Sequence, residues 1–214
     1  PLPRMAEYTL GIERINIELS LRNKLELLDE LEAFFLKGNL PLGMSDDAAA
    51  LPGAELLEDR TAQALAVIRD ARKQWSRWLE QLDHPSEGDP TRTNFEGLQD
   101  HSQRASWKRQ VLAPLREIFA GAVLAPVVDE ARRIHARVLR GRVWVALHMH
   151  AGDGNVHTNI PVNSDNYAML QTAHEAVGRI MALARRLDGV ISGEHGIGIT
   201  KLEFLTDGEL RGFT

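Results

Sequence analysis

The residues best suited to chemistry lie in two short segments of the sequence. Residues 148–159 read HMHAGDGNVHTN, and residues 192–198 read SGEHGIG. The first segment contains three histidines, and the second places a glutamate beside a histidine among three glycines. Imidazole nitrogens and carboxylate oxygens are common ligands of divalent ions, and imidazole also exchanges protons near neutral pH. The two segments therefore predict a metal site or an acid–base site.

The first segment has the pattern of a β-hairpin. Apolar and polar residues alternate through VWVALHMH and again through NVHTNIPV, and the Gly-rich AGDG separates the two runs. If AGDG forms the connection, His150 faces Asn155 and His148 faces His157, with facing Cβ atoms about 4.5–5.5 Å apart. One histidine on a strand is usually a half-buried polar residue, but three on one face favour a metal or catalytic site. The predicted polar face consists of His148, His150, Asn155, His157 and Asn159.

The second segment has the composition of a loop that a ligand can approach closely. Gly193, Gly196 and Gly198 can adopt positive φ without steric cost. The carboxylate of Glu194, added to two histidines, gives a His2Glu donor set with open positions for water or substrate. Considered alone, the segment is explained equally well as a flexible turn. No P-loop, G-x-S-x-G or H-E-x-x-H motif occurs, which argues against the commonest NTPase and hydrolase classes.

Composition excludes several classes of protein. The 214 residues are 43% hydrophobic and 26% charged, which is typical of a soluble globular chain. The net charge of −5 gives no reason to expect a nucleic-acid partner. The absence of cysteine excludes disulfides, Fe–S ligation and thiol catalysis from this segment. No apolar run is long enough to cross a bilayer, and we expect a cytoplasmic location without a transmembrane segment.

Helical periodicity accounts for most of the remaining sequence. Apolar residues recur at steps of three and four, although a short strand at residues 15–19 is also possible. Pro114 and Pro126 must kink a helix or occupy the first turns of separate helices. Residues 84–92 read as a linker, and residues 189–191 as a short strand. We predict helices at 12–36, 58–82, 102–139 and 164–187, the last with Ser164 as its N-cap.

The two motifs together resemble the C-terminal part of FAD-linked oxidases. The matching residues run from His150 to Asn159 and from Ser192 to Gly198. The similarity is to the branch of the vanillyl-alcohol-oxidase-like superfamily that contains D-lactate dehydrogenase, glycolate oxidase and D-2-hydroxyglutarate dehydrogenase. It covers residues 141–205 and, more loosely, 1–37. It implies an α+β fold, helix-rich with a small antiparallel sheet: a ferredoxin-like cap domain with a helical elaboration.

The resemblance also implies a division of the chain. Residues 1–44 begin the cap domain, 45–140 form a helical insertion, and 141–214 form the hairpin and helix that carry the metal site. The family's FAD-binding domain is not recognisable, and the chain begins at Pro1 rather than at Met. We therefore expect a piece of a longer protein that is inactive by itself.

By the same resemblance, the reaction is oxidation of a D-2-hydroxy acid, with hydride passing to FAD. A divalent ion, often zinc, would be bound by His150, His157 and Glu194. His195 would be the catalytic base, and Asn159 and His195 would bind substrate. His148 would either support a ligand or replace one. The expected partners are a small 2-hydroxy acid, the FAD-binding domain of the same chain and an electron acceptor.

Two other functions fit the residues. The chain could be a non-catalytic helical binding module in which the metal is structural. It could also be a metal hydrolase that uses the same His2Glu set.

Overall fold

The structure is a computed structural model, and it describes residues 1–44, 51–150 and 152–191. These residues are mainly helical and contain a two-stranded antiparallel sheet, so the predicted helix-rich α+β class is confirmed. The ferredoxin-like arrangement stays a prediction. After a 3₁₀ turn at Leu2–Arg4, the elements are α1 (Met5–Leu36), α2 (Ala54–Glu80), α3 (Asn94–Gln99), a π-helical turn (Trp107–Leu112), α4 (Ala113–Ile118), α5 (Ala125–Arg140), β1 (Ala146–His150), β2 (Asn155–Asn159) and α6 (Tyr167–Arg186).

The chain forms two compact units. One, the helical unit, consists of Ile17–Arg142. The other, the hairpin unit, combines Pro1–Asn16 with the described residues from Val143 onwards. The predicted assignment of residues 1–44, 45–140 and 141–214 to a cap domain and an insertion stays a prediction.

The core of the helical unit is built from the apolar stripes that the sequence predicts. On α1, Leu28, Leu31 and Phe35 are almost completely buried, and Phe35 stacks on Phe119 with ring centroids 5.6 Å apart. Trp75 and Trp78 of α2 lie in the same core. Removing such large side chains from water stabilises the fold by about 1.5–3 kcal/mol each.

Helix α1 begins at Met5, seven residues before the predicted Ile12. The possible short strand at residues 15–19 is wrong, because Ile12, Ile15 and Leu19 are all buried on one helical stripe. Their spacing of three and four residues places them on one face only if the backbone is helical.

Both prolines of the third predicted stretch lie in the first turn of a helix, which is one of the two alternatives that the sequence left open. Pro114 is in the first turn of α4, and Pro126 is in the first turn of α5. At Pro126 this position costs no hydrogen bond within α5, since the first N–H groups of a helix have no partner within it.

Residues 84–92 form a connecting loop within the helical unit. The Asn94 side chain, which is buried, donates to the Gln81 carbonyl at 2.8 Å and accepts from Gln103 Nε2 at 3.0 Å. Thr93 and Glu96 form a capping box at the start of α3. These bonds hold the loop against the ends of α2 and α3.

In the hairpin unit, Asn16 joins α1 to the segment that enters β1. Its Nδ2 donates to the Val145 carbonyl at 2.9 Å, and its Oδ1 accepts from the Val145 N–H at 2.7 Å. Val145 is buried, so water does not readily replace these bonds. This pair of bonds fixes where β1 starts relative to α1.

We expect Asn16→Ala to lower the free energy of unfolding by about 1–3 kcal/mol, because it leaves the Val145 N–H and C=O unpaired. Urea denaturation followed by circular dichroism measures the change. Asn23→Ala is the matched control, since the Asn23 side chain makes one bond, from Nδ2 to the Val138 carbonyl at 3.0 Å. An Asn16→Ala effect no larger than that of Asn23→Ala would contradict the two-bond anchor.

Candidate functional site

The hairpin has the register that the sequence predicts. His148 pairs with His157, His150 pairs with Asn155, and Ala146 pairs with Asn159. The turn closes with a hydrogen bond from the Asp153 N–H to the His150 carbonyl at 3.0 Å. Gly154 has φ of +66°, a conformation that a side chain rarely allows. The Gly-rich sequence therefore sets the turn, and the turn sets which residues face one another.

One face of the hairpin carries the three imidazoles. The ring centroids of His148 and His150 are 5.3 Å apart, and those of His150 and His157 are 5.7 Å apart. Both pairs meet edge to face, at 83° and 84°. His148 and His150 are exposed, and His157 is half-buried. We call these three residues the imidazole cluster.

The opposite face of the hairpin turns towards α1. Met149 and Val156 are paired across the ladder on this face. The Thr9 hydroxyl donates to the Met149 sulfur at 3.7 Å. This contact supports the hairpin on the face opposite the imidazole cluster, and the Asn16 bonds hold the segment that enters β1.

Helix α6 begins and ends differently from the prediction. Asn166, not Ser164, caps it, because the Asn166 Oδ1 accepts from the Met169 N–H at 3.0 Å. The predicted strand at residues 189–191 is wrong. Asp188 has φ of +59°, and the Gly189 N–H bonds back to the Ala184 carbonyl at 2.8 Å, so the chain turns where α6 ends.

A cavity of about 700 Å³ lies beside β2. The 3₁₀ turn contributes Arg4, helix α1 contributes Met5 and Tyr8, and β2 with its turn contributes residues 153–159. The C-terminal part of α6 and the residues after it supply a largely apolar wall. The cavity therefore combines hydrogen-bonding groups on one side with an apolar surface on the other, as small-molecule sites commonly do.

Two polar side chains of this cavity are partly removed from water. Burial raises the pKa of the Tyr8 phenol, because the phenolate is the form that loses solvation. The Nδ2 of Asn155 is buried and has no hydrogen-bond partner within the described ranges. At the rim, Arg4 pairs with Glu7 at 3.1 Å and lies 3.8 Å from Asp188. Tyr8 and Arg4 were not predicted as site residues, since they are far in sequence from the hairpin, which begins at Ala146.

The structure brings together three of the predicted site residues. His150, His157 and Asn159 share one face of the hairpin. Glu194 and His195 lie outside the described residues. Within residues 1–44, 51–150 and 152–191, no group of three or more His, Cys, Asp or Glu side chains is arranged to hold a metal ion. The ligand set and the catalytic base therefore stay predictions.

The segment that contains the hairpin matches a known protein family. Residues 119–209 match the family described as FAD linked oxidases, C-terminal domain. The predicted resemblance is confirmed. The match begins 22 residues before the predicted position 141 and so includes α5. The looser resemblance of residues 1–37 lies outside it and stays a prediction.

Curated relatives agree with this family. The chain is 43% identical over 58 residues to glycolate oxidase subunit GlcD of Escherichia coli strain K12, covering 27% of this chain and 12% of that protein. It is 41% identical over 65 residues to D-2-hydroxyglutarate dehydrogenase of Xanthomonas citri pv. viticola, covering 29% and 13%. It is 27% identical over 106 residues to the mitochondrial D-lactate dehydrogenase [cytochrome] of Arabidopsis thaliana, covering 48% and 19%.

The chain thus spans less than a fifth of the length of these relatives. No solved structure is significantly similar to it. Among the helices of the described ranges, none has the length and apolarity needed to cross a membrane.

The alkaline titration of Tyr8 tests whether its phenol is buried in the cavity. The chain contains 2 tyrosines, and Tyr167 is 79% exposed. Because burial raises the pKa of Tyr8, we expect a late step in the tyrosinate absorbance on alkaline titration. Tyr8→Phe should remove this step, and Tyr167→Phe should leave it. A late step that persists in Tyr8→Phe would show that the phenol is solvated.

Proposed function

We propose that this chain is the part of a flavin-dependent enzyme that binds the metal and the substrate, and that the enzyme oxidises a D-2-hydroxy acid to a 2-oxo acid. The observation that carries the proposal is the pairing of β1 with β2, which makes His150 and His157 diagonal neighbours on one face, with ring centroids 5.7 Å apart, within the segment that matches the FAD-linked oxidases. The relatives named for glycolate, D-2-hydroxyglutarate and D-lactate support the substrate class.

In this proposal, His150, His157 and Glu194 hold a divalent ion, either zinc or manganese. Two ring nitrogens bound to one zinc ion, each at about 2.1 Å, must lie within about 4 Å of each other. Rings whose centroids are 5.7 Å apart satisfy this requirement when their nitrogens point towards a common site. The two imidazoles therefore fit a shared ion, with Glu194 as the third ligand. When bound, the ion supplies Lewis acidity to the hydroxyl and carboxylate of the substrate.

The remaining residues of the site handle the proton and the substrate. His195 takes the proton of the substrate hydroxyl while the α-carbon loses a hydride, which leaves a carbonyl and hence the 2-oxo acid. Asn159 hydrogen-bonds the substrate and holds it against the imidazole face. FAD, when bound by the rest of the protein, supplies the two-electron acceptor for the hydride.

The flavin and its reoxidation come from outside this chain segment. An FAD-binding domain of the same chain completes the active site, and a separate electron acceptor reoxidises the flavin. Residues 45–140 elaborate the cap domain, which residues 1–44 begin and residues 141–214 complete. We place the enzyme in the cytoplasm.

Metal analysis of the full-length parent protein tests the ligand set. We expect His150→Ala and His157→Ala each to abolish binding of one equivalent of zinc or manganese, because each removes one of three ligands. His84→Ala is the matched control, since His84 is also exposed but lies in the loop of the helical unit. Full occupancy in both hairpin variants would rule out the proposed site.

Turnover by the same protein tests the reaction. It should contain FAD and should reduce an artificial acceptor with glycolate, D-lactate or D-2-hydroxyglutarate. We expect His195→Gln to lower kcat about 10²–10⁴-fold, the usual contribution of a general base, while metal content stays unchanged. A flavin-free parent, or a His195→Gln variant with unchanged kcat, would contradict the proposal.

A further inference from the structure

The third histidine of the imidazole cluster has a place in the geometry but no role in the ligand set. His148 lies directly across the ladder from His157 and two residues before His150, so all three side chains are on one face. Its ring meets the His150 ring edge to face, with centroids 5.3 Å apart at 83°. The His150 ring in turn meets the His157 ring at 84°. His150 is therefore the middle ring of a row of three.

The orientation of the His150 ring depends on these ring contacts. A metal-binding imidazole usually donates its second N–H to a carboxylate or a carbonyl, which fixes the orientation of the ring. Within the described part of the chain, the side chains of His148 and His150 make no hydrogen bond, and their contacts are with neighbouring rings. Both are exposed, so packing from the core does not fix them either. Besides His157, the imidazole of His148 is thus the described group whose contact limits rotation of the His150 ring.

We propose that His148 is a positioning residue: its edge-on ring holds His150 in the orientation that allows His150 and His157 to share one ion. His148 is not itself a ligand. This inference rests on the proposed function, because it requires a divalent ion at His150, His157 and Glu194. Position 148 supplies an aromatic ring rather than a third nitrogen donor to the site.

Substitution by phenylalanine separates the two possibilities. Phenylalanine keeps a flat ring of similar size but has no nitrogen, whereas alanine removes both the ring and the nitrogen. The position is exposed, and Phe is favoured in strands, so His148→Phe should preserve the hairpin. Circular dichroism and the thermal midpoint of each variant check that the fold is retained.

The experiment measures the zinc affinity of the full-length parent protein by competition with a chromophoric chelator. We expect His148→Ala to weaken zinc binding about tenfold, at the lower end of the effect of residues that orient a ligand. His148→Phe should restore most of that loss. His84→Ala, which removes an exposed histidine elsewhere, should leave the affinity unchanged. The d–d absorption spectrum of the cobalt(II)-loaded protein should be the same in His148→Phe as in the unsubstituted protein, because the ligands are the same.

The outcomes distinguish this inference from the proposed function. If His148→Phe is as weak as His148→Ala and its cobalt spectrum changes, His148 is a ligand and the positioning role is wrong, while the metal site stands. If His148→Ala binds zinc as well as the unsubstituted protein, the positioning role is also wrong. If the unsubstituted parent binds no divalent ion, the proposed metal site fails, and this inference fails with it.

Discussion

A shift of one residue in the pairing of β1 with β2 would move every imidazole of one strand to the opposite face of the hairpin. The rest of the site depends on this register. The hydrogen bond from Asp153 to His150 and the positive φ of Gly154 close the connection at one length, which leaves one pairing available. The alternation of the two strands then places His150 and His157 on one face, with their ring centroids 5.7 Å apart. The chemistry that the histidines can perform is thus a consequence of how a short turn closes.

The hairpin is too small to hold this arrangement alone, because an isolated two-stranded sheet is only marginally stable in water. Helix α1 supports it through the two bonds between Asn16 and Val145 and the contact of Thr9 with Met149. His148 and His150 are exposed, while the strand that carries them is held in place by these contacts.

The predictions that succeeded rest on strong local patterns. The stripe that includes Leu28 and Phe35 is buried as expected, and the prolines at 114 and 126 each begin a helix. The errors lie at the ends of elements, where weak local preferences compete. Ser164 and Asn166 are both good caps, and the choice between them depends on how the preceding turn folds. The strand expected at 189–191 is absent, because the bond from Gly189 to Ala184 turns the chain at the end of α6.

The sequence by itself determined which residues share a face of the hairpin, because the period of a strand and the length of a turn are local properties. It also carried the resemblance to the FAD-linked oxidases, because the two motifs can be recognised without any coordinates. Only the tertiary structure decided that Tyr8 and Asn155 line one cavity, and that His150 lies between two edge-on rings. Contacts such as that of Asn16 with Val145 join residues 129 positions apart. Local periodicity contains no information about such pairs, since they are set by how whole elements pack against one another.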